Sequence, residues 1–170
     1  MESIENISSG KEKLHQLESE GLYLFHGSPT ADIEEFELRQ STHIVDIEKP
    51  HEMINDGEPA ISATPYADIA IFRSIINRKN IDKIDITSSF GSNSEGELEF
   101  SVSNPEILEK ARGGTGFVYV FDKNNFAPYS RDGVAHESGM EWRSYKQVKP
   151  IQVVPVNFDD MPELERIKIV

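Results

Sequence analysis

The apolar run Leu22-Tyr23-Leu24-Phe25 is stopped abruptly by His26-Gly27-Ser28-Pro29, and this boundary constrains the fold more than any other feature of the chain. Successive side chains of a strand point to opposite faces, so four consecutive apolar residues call for a strand covered on both sides. The residues that end it suit a ligand better than packing. An imidazole offers a donor and an acceptor, and a glycine has no Cβ to hold a ligand off the main chain. Residues 117–121 (Phe-Val-Tyr-Val-Phe) form the clearest second buried strand, and residues 151–156 read as the last.

The intervening segments mix short strands with few helices. Residues 8–20 read as a surface helix: Ser9 and Glu12 fit a capping box, Leu14 and Leu17 share a face, and Gly21 ends it. Residues 32–58 are irregular and polar, with Ile33, Phe36 and Leu38 as anchors and a turn-rich stretch from Lys49-Pro50 to Asp56-Gly57, and so read as a lid or mobile loop. A short strand over 60–63 leads into a helix with Thr64 as N-cap and Pro65 at its first position, running to about Arg78. Ile69, Phe72, Ile75 and Ile76 supply its buried stripe. Residues 88–94 read as flexible, whereas Leu98, Phe100 and Val102 alternate as a half-exposed strand before a helix opened by Asn104-Pro105. Gly113 to Gly116 lacks the lysine of a phosphate loop and precedes a strand, which favours a hinge. The loop after residue 121 gathers Tyr129, Arg131, Asp132, His136, Glu137 and Glu141 and would form the other half of any site. The pattern is that of an α+β domain without regular βαβ alternation.

At 170 residues, 37% hydrophobic and 28% charged, the chain suits one domain over residues 22–170 with a helical extension over 1–21. No apolar run nears the ~20 residues that span a bilayer, and the first residues lack the basic start of a signal peptide. A soluble, cytoplasmic protein without membrane partners is expected. The absence of cysteine removes thiolate chemistry and cysteine-ligated metal. The histidines at 15, 26, 43, 51 and 136 form no pair at ligand spacing, so no metal is expected. A net charge of −13 disfavours nucleic acid as the main partner, since phosphates are met by lysine and arginine. It fits either plain solubility or an acidic surface that blocks a basic protein. A triad of Ser28, His136 and Asp132 lacks the Gly-x-Ser-x-Gly elbow.

A strand ending in His26-Gly27-Ser28, a strand Ile61-Ser62-Ala63-Thr64 entering a helix with Ala70 and Phe72, and a late Glu141 before Trp142-Arg143-Ser144 together resemble the ADP-ribosyltransferase fold. The resemblance is to its diphtheria-toxin-like and poly(ADP-ribose)-polymerase-like branch, with a histidine–tyrosine–glutamate signature, over residues 22–158. It implies a compact split β-sheet core with few flanking helices. It also implies NAD as substrate and transfer of ADP-ribose to a macromolecule, protein rather than nucleic acid. On this likeness His26 would hold the adenosine ribose and the Gly27 main chain the nicotinamide carboxamide, with Ser28 beside them. Ser62 stands where the branch often has tyrosine, with Thr64 following. The stacking aromatic would be Phe72 or Tyr66, and Arg73 could face the diphosphate, as could Arg143. Glu141 would stabilise the positive charge that builds on the ribose as nicotinamide leaves. The small size resembles bacterial or phage toxins and effectors, which makes delivery into a target cell's cytoplasm the alternative to a cytoplasmic location in its own cell. An RNA 2′-phosphotransferase-like NAD-using enzyme and a non-catalytic acidic binding or inhibitor protein are the alternatives.

Overall fold

The structure is a computed structural model and describes residues 9–170 apart from 47, 50, 51 and 83. Readings that rest on residues 1–8, Pro50 or His51 fall outside the described residues. In chain order the elements are α1 (Gly10–Glu20), β1 (Tyr23–Ser28), β2 (Thr42–Ile44), β3 (Met53–Asn55), β4 (Ile61–Ala63), α2 (Ala67–Ile75) and β5 (Ser88–Ser92). There follow β6 (Leu98–Val102), α3 (Pro105–Ala111), β7 (Thr115–Asp122), β8 (Ala127–Pro128), β9 (Trp142–Ser144), β10 (Gln152–Asn157) and β11 (Ile167–Ile169). The fold is α+β.

The central sheet runs β1-β7-β10, antiparallel throughout. Both of its faces are covered, which is why β1 and β7 are apolar without alternation. On one face Phe25, Val118, Val120, Val154 and Val156 join α2, Leu14 of α1 and Phe100 in the main core. On the other, Leu24, Tyr119 and Phe121 meet Ile61, Ala63 and Trp142 of a second sheet, β4-β9-β8. Besides this packing, the main chains of the two sheets are joined, among the described residues, by one antiparallel bridge between Phe25 and Thr64, beyond which β1 and β4 no longer pair. The core is thus split. A third sheet, β11-β6-β5, closes over α2, with Phe72 and Phe100 rings 5.0 Å apart.

The approach of α2 to the central sheet depends on two glycines. A Cβ on Gly27 would collide with the main-chain carbonyl of Ala70, and one on Gly116 with that of Ser74. The Gly113–Gly116 segment is therefore a packing seam that enters β7, not a free hinge.

The helix-end signals at α1 and α3 hold, although at α1 only the serine half of the expected capping box forms. Ser9 Oγ accepts from the Glu12 N–H and Gly21 closes α1 at φ 71°, while Asn104 caps α3 with Pro105 at its start. Leu14 is fully buried, so α1 belongs to the main core. Elsewhere tertiary contacts moved the boundaries. β1 continues through His26, Gly27 and Ser28, because β7 offers partners as far as Phe117. α2 starts at Ala67, whose N–H donates 2.9 Å to Glu18 Oε1 of α1, and Thr64 Oγ1 instead accepts from the Tyr66 N–H. The helix stops at Ile75, since Asn77 and Asn80 side chains take the Ser74 and Ile75 carbonyls. Residues 88–92 are a strand, paired to β6 around a turn at Gly96. β10 is not the last strand; β11 runs parallel to β6. The 32–58 segment contains the β2–β3 hairpin and is pinned by Phe36 to Val148 and by Arg39 to Ala60.

Gly27→Ala is expected to lower the unfolding free energy by about 3 kcal/mol, because main chain rather than a flexible side chain must move. Gly91→Ala in β5, where nothing lies within 4 Å of the added carbon, should change it by less than about 0.5 kcal/mol. Urea unfolding of both variants measures the contrast.

Candidate functional site

Ile61 and Ala63 of β4 face the second core, so the alternating position, Ser62, faces outward where β1 and β4 part. Its two polar groups hold two other elements. The carbonyl oxygen accepts from His26 Nδ1 at 2.7 Å, and the hydroxyl donates to Glu141 Oε1 at 2.9 Å. Pairing of β4 with β9 sets Ser62 against Arg143 and so brings Glu141, at the entry to β9, within reach. The three residues named from sequence as His26, Ser62 and Glu141 therefore form one connected group.

A carbonyl can only accept, so His26 Nδ1 carries the proton and Nε2 of the neutral ring is left with its lone pair. Burial pushes the imidazole pKa below its ordinary value; the Ser62 carbonyl opposes this, while the charges of Arg73 and Arg39 reinforce it. The ring stands edge-on to Phe36 at 5.0 Å. His26 thus presents a neutral acceptor.

Glu141 is 37% exposed at its side chain. Oε1 accepts from Ser62 and, at 3.0 Å, from Arg143 Nε. Among the described residues no donor meets Oε2. Arg143 itself is only 2% exposed. Its Nη1 donates 2.6 Å to the Asp56 carbonyl, its Nη2 lies 3.4 Å from Asp56 Oδ2, and its guanidinium stacks 3.6 Å from the centre of the Tyr129 ring. Asp56 also accepts from the Tyr129 hydroxyl at 2.6 Å and from Arg131 Nη2 at 3.0 Å. Burial alone would raise the Asp56 pKa, but hydrogen bonds from Arg131 and Tyr129 and the charges of Arg131 and Arg143 outweigh it and hold the carboxyl at about 2. Gly57 (φ 72°) closes this turn, where a Cβ would lie 2.8 Å from Arg143 Nη1.

Gly27 contributes main chain. Phe25 exchanges both of its hydrogen bonds with Thr64, away from β7, so by strand alternation the N–H and C=O of Gly27 point to the same, unpaired edge. The missing Cβ serves the contact with α2 rather than a ligand. The two polar groups of that edge are nevertheless turned toward the gap beside Ser62.

The other sequence candidates are more dispersed. Ser28 is buried and its Oγ accepts from the Thr30 N–H, closing the turn after β1. Thr64 is buried at the bridge. Tyr66 is half-buried, and its hydroxyl donates 2.7 Å to the Ser138 carbonyl, tying the 130–140 loop to the start of α2. Phe72 lies in the core at 1% exposure. Arg73 is exposed beside Phe90 and, with Phe72 and Ile76, lines a cleft of about 330 Å³ between α2 and β5 that holds neither His26 nor Glu141. Arg143 is neither a solvated residue nor free for a diphosphate. Asp132, His136 and Glu137 are exposed.

Sequence reading passed over Asp56 and the role of Arg143. Arg143 lies two residues after Glu141, so an extended chain entering β9 (Trp142–Ser144) turns both side chains to the same side. Nothing local marked Asp56 among 30 acidic residues. No described helix is long and apolar enough to cross a membrane, and no three His, Asp or Glu side chains among the described residues gather as a metal ion would need.

The depressed Asp56 pKa has a stability consequence. Its unfolded value is near 3.8 and its folded value about 2, so it contributes about 2 kcal/mol that is present above pH 4 and is lost as pH falls through 2. Asp56→Asn should therefore be less stable at pH 7 and lose less on acidification from pH 4 to 2 than wild type; thermal unfolding across that window measures the difference. Comparison of the chain with protein-family models, curated proteins and solved structures found no match.

Proposed function

We propose that the protein is an NAD-dependent ADP-ribosyltransferase that places ADP-ribose on a macromolecule. The observation that carries this reading is Ser62, whose carbonyl and hydroxyl tie His26 of β1 to Glu141 of β9 at the point where the two sheets part. Three residue types that NAD chemistry needs are thereby brought to one edge from distant parts of the chain.

In the proposed reaction the bond between nicotinamide and C1′ of its ribose breaks, its electron pair leaves with nicotinamide, and positive charge develops on the sugar. Glu141 Oε2 accepts a hydrogen bond from a ribose hydroxyl, and the fixed carboxylate stabilises that charge without reorganising. An acceptor nucleophile then bonds to C1′ and releases its proton to solvent water. His26 Nε2 accepts from a hydroxyl of the adenosine ribose, and the open N–H and C=O of Gly27 meet the carboxamide, whose own groups are one acceptor and one donor pair. Tyr66, half-buried at the start of α2, is better disposed than Phe72 to stack on nicotinamide, since the Phe72 ring is enclosed against Phe100. Arg73, exposed in the separate cleft beside Phe90, is assigned no contact with the dinucleotide. The net charge of −13 favours a protein acceptor over nucleic acid.

Incubation with NAD and a cell lysate, followed by nicotinamide release and transfer of labelled ADP-ribose, tests the reading. Glu141→Gln should reduce both by about 100-fold or more. Ser62→Ala, which removes one donor to a charged group, should lower turnover by about tenfold. Full activity in a folded Glu141→Gln protein would sink the assignment.

A further inference from the structure

We propose that Arg143, held in turn by Asp56, is a positioning residue for the Glu141 carboxylate; this rests on the reading of Glu141 given above. A guanidinium enclosed to 2% exposure is costly unless its charge is paired and its donors find acceptors. The side chain is split between two tasks. Nη1 and Nη2 engage the Asp56 carbonyl and carboxylate, while Nε turns to the more exposed Glu141.

Glu141 Oε1 is thereby clamped between two donors on separate strands, Ser62 of β4 and Arg143 of β9. A carboxylate with both bonds on one oxygen cannot turn about its last torsion without breaking one of them. Oε2 is left without a donor among the described residues, on a side chain that is 37% exposed. The planar fork is essential, because a lysine could reach Glu141 or Asp56 but not hold both in one geometry.

Asp56 has a second effect. Its charge offsets that of Arg143, so the clamp does not cancel the negative field of Glu141 toward a developing cation. Arg131, the other cation on Asp56, is 57% exposed and screened by water. Tyr129 covers the guanidinium face, and Gly57 allows the turn to close on it. A segment distant in sequence, the end of the β2–β3 hairpin, is in this way joined to the reacting carboxylate through one side chain.

The test compares wild type, Glu141→Gln, Arg143→Lys and Asp56→Asn in NAD cleavage, with kcat normalised to NAD-binding sites counted by calorimetry. In Arg143→Lys, kcat should fall by about tenfold or more, as misplacement of a reacting group does, while the KM for NAD stays within about twofold. Asp56→Asn, which keeps the main-chain acceptor for Nη1, should show the same split to a smaller extent and serves if the lysine variant fails to fold. The Arg143 Nε–H resonance should be protected from exchange in wild type and shifted in Glu141→Gln, a signature that loss of general stability would not produce. Wild-type kcat in folded Arg143→Lys, with Glu141→Gln inactive, would overturn this inference alone. A wild-type chain that cleaves no NAD would remove the reading and the inference together.

Discussion

The close seating of α2 on the central sheet governs the rest of the structure. Gly27 and Gly116 let helix main chain approach strand main chain where any side chain would collide, and that contact brings Phe25, Val118 and Val120 together with Ile71 and Ile75 in the main core. Close packing of this kind forfeits dispersion steeply when it loosens, so it holds strand and helix in one relation. Because β1 is secured by β7 on one edge and α2 on one face, its other edge needs only one bridge to β4. The unpaired stretch beyond that bridge is where the candidate site lies. The same glycine therefore belongs to the packing and, through its main chain, to the site.

The site is organised by polar groups that satisfy one another. Ser62 uses its carbonyl for His26 and its hydroxyl for Glu141, while Arg143 divides its donors between Glu141 and Asp56. Each bond leaves a defined group open: Nε2 of the histidine, Oε2 of the glutamate, the edge of Gly27. An arrangement in which one half of each functional group is fixed inward and the other faces out resists rearrangement when a ligand arrives, which is what electrostatic stabilisation of a charged transition state requires.

Legibility varied with how local the governing interaction was. The ends of α1 and α3 could be read because Ser9, Gly21 and Asn104 act within a few residues of themselves. The α2 start could not, because its first N–H is capped by Glu18, from another helix. Residues 88–92 look like a loop in isolation, with serine and glycine throughout, yet pair as a strand because β6 supplies a ladder. Of the residues in the candidate site, His26 and Gly27 stood out in the sequence as the polar end of an apolar strand, whereas Ser62 and Glu141 entered only through the family resemblance, since neither alternation nor spacing singles out one glutamate among 30 acidic residues. The support of the site was not legible: Asp56 lies in an irregular polar segment, and its depressed pKa arises from Arg131, Tyr129 and Arg143, all more than seventy residues away in the chain.

By itself the sequence determined which segments must be buried and which polar residues stand at the ends of buried strands, because periodicity and apolar runs are properties of neighbouring residues. It determined the α+β character for the same reason. Only the tertiary structure decided that β1 runs on through its glycine, that the sheets part at one bridge, and that an arginine two residues after the glutamate is buried between two carboxylates. Those outcomes depend on main-chain pairing, desolvation and charge between residues brought together from opposite ends of the chain, and none of these is encoded in a short window of sequence.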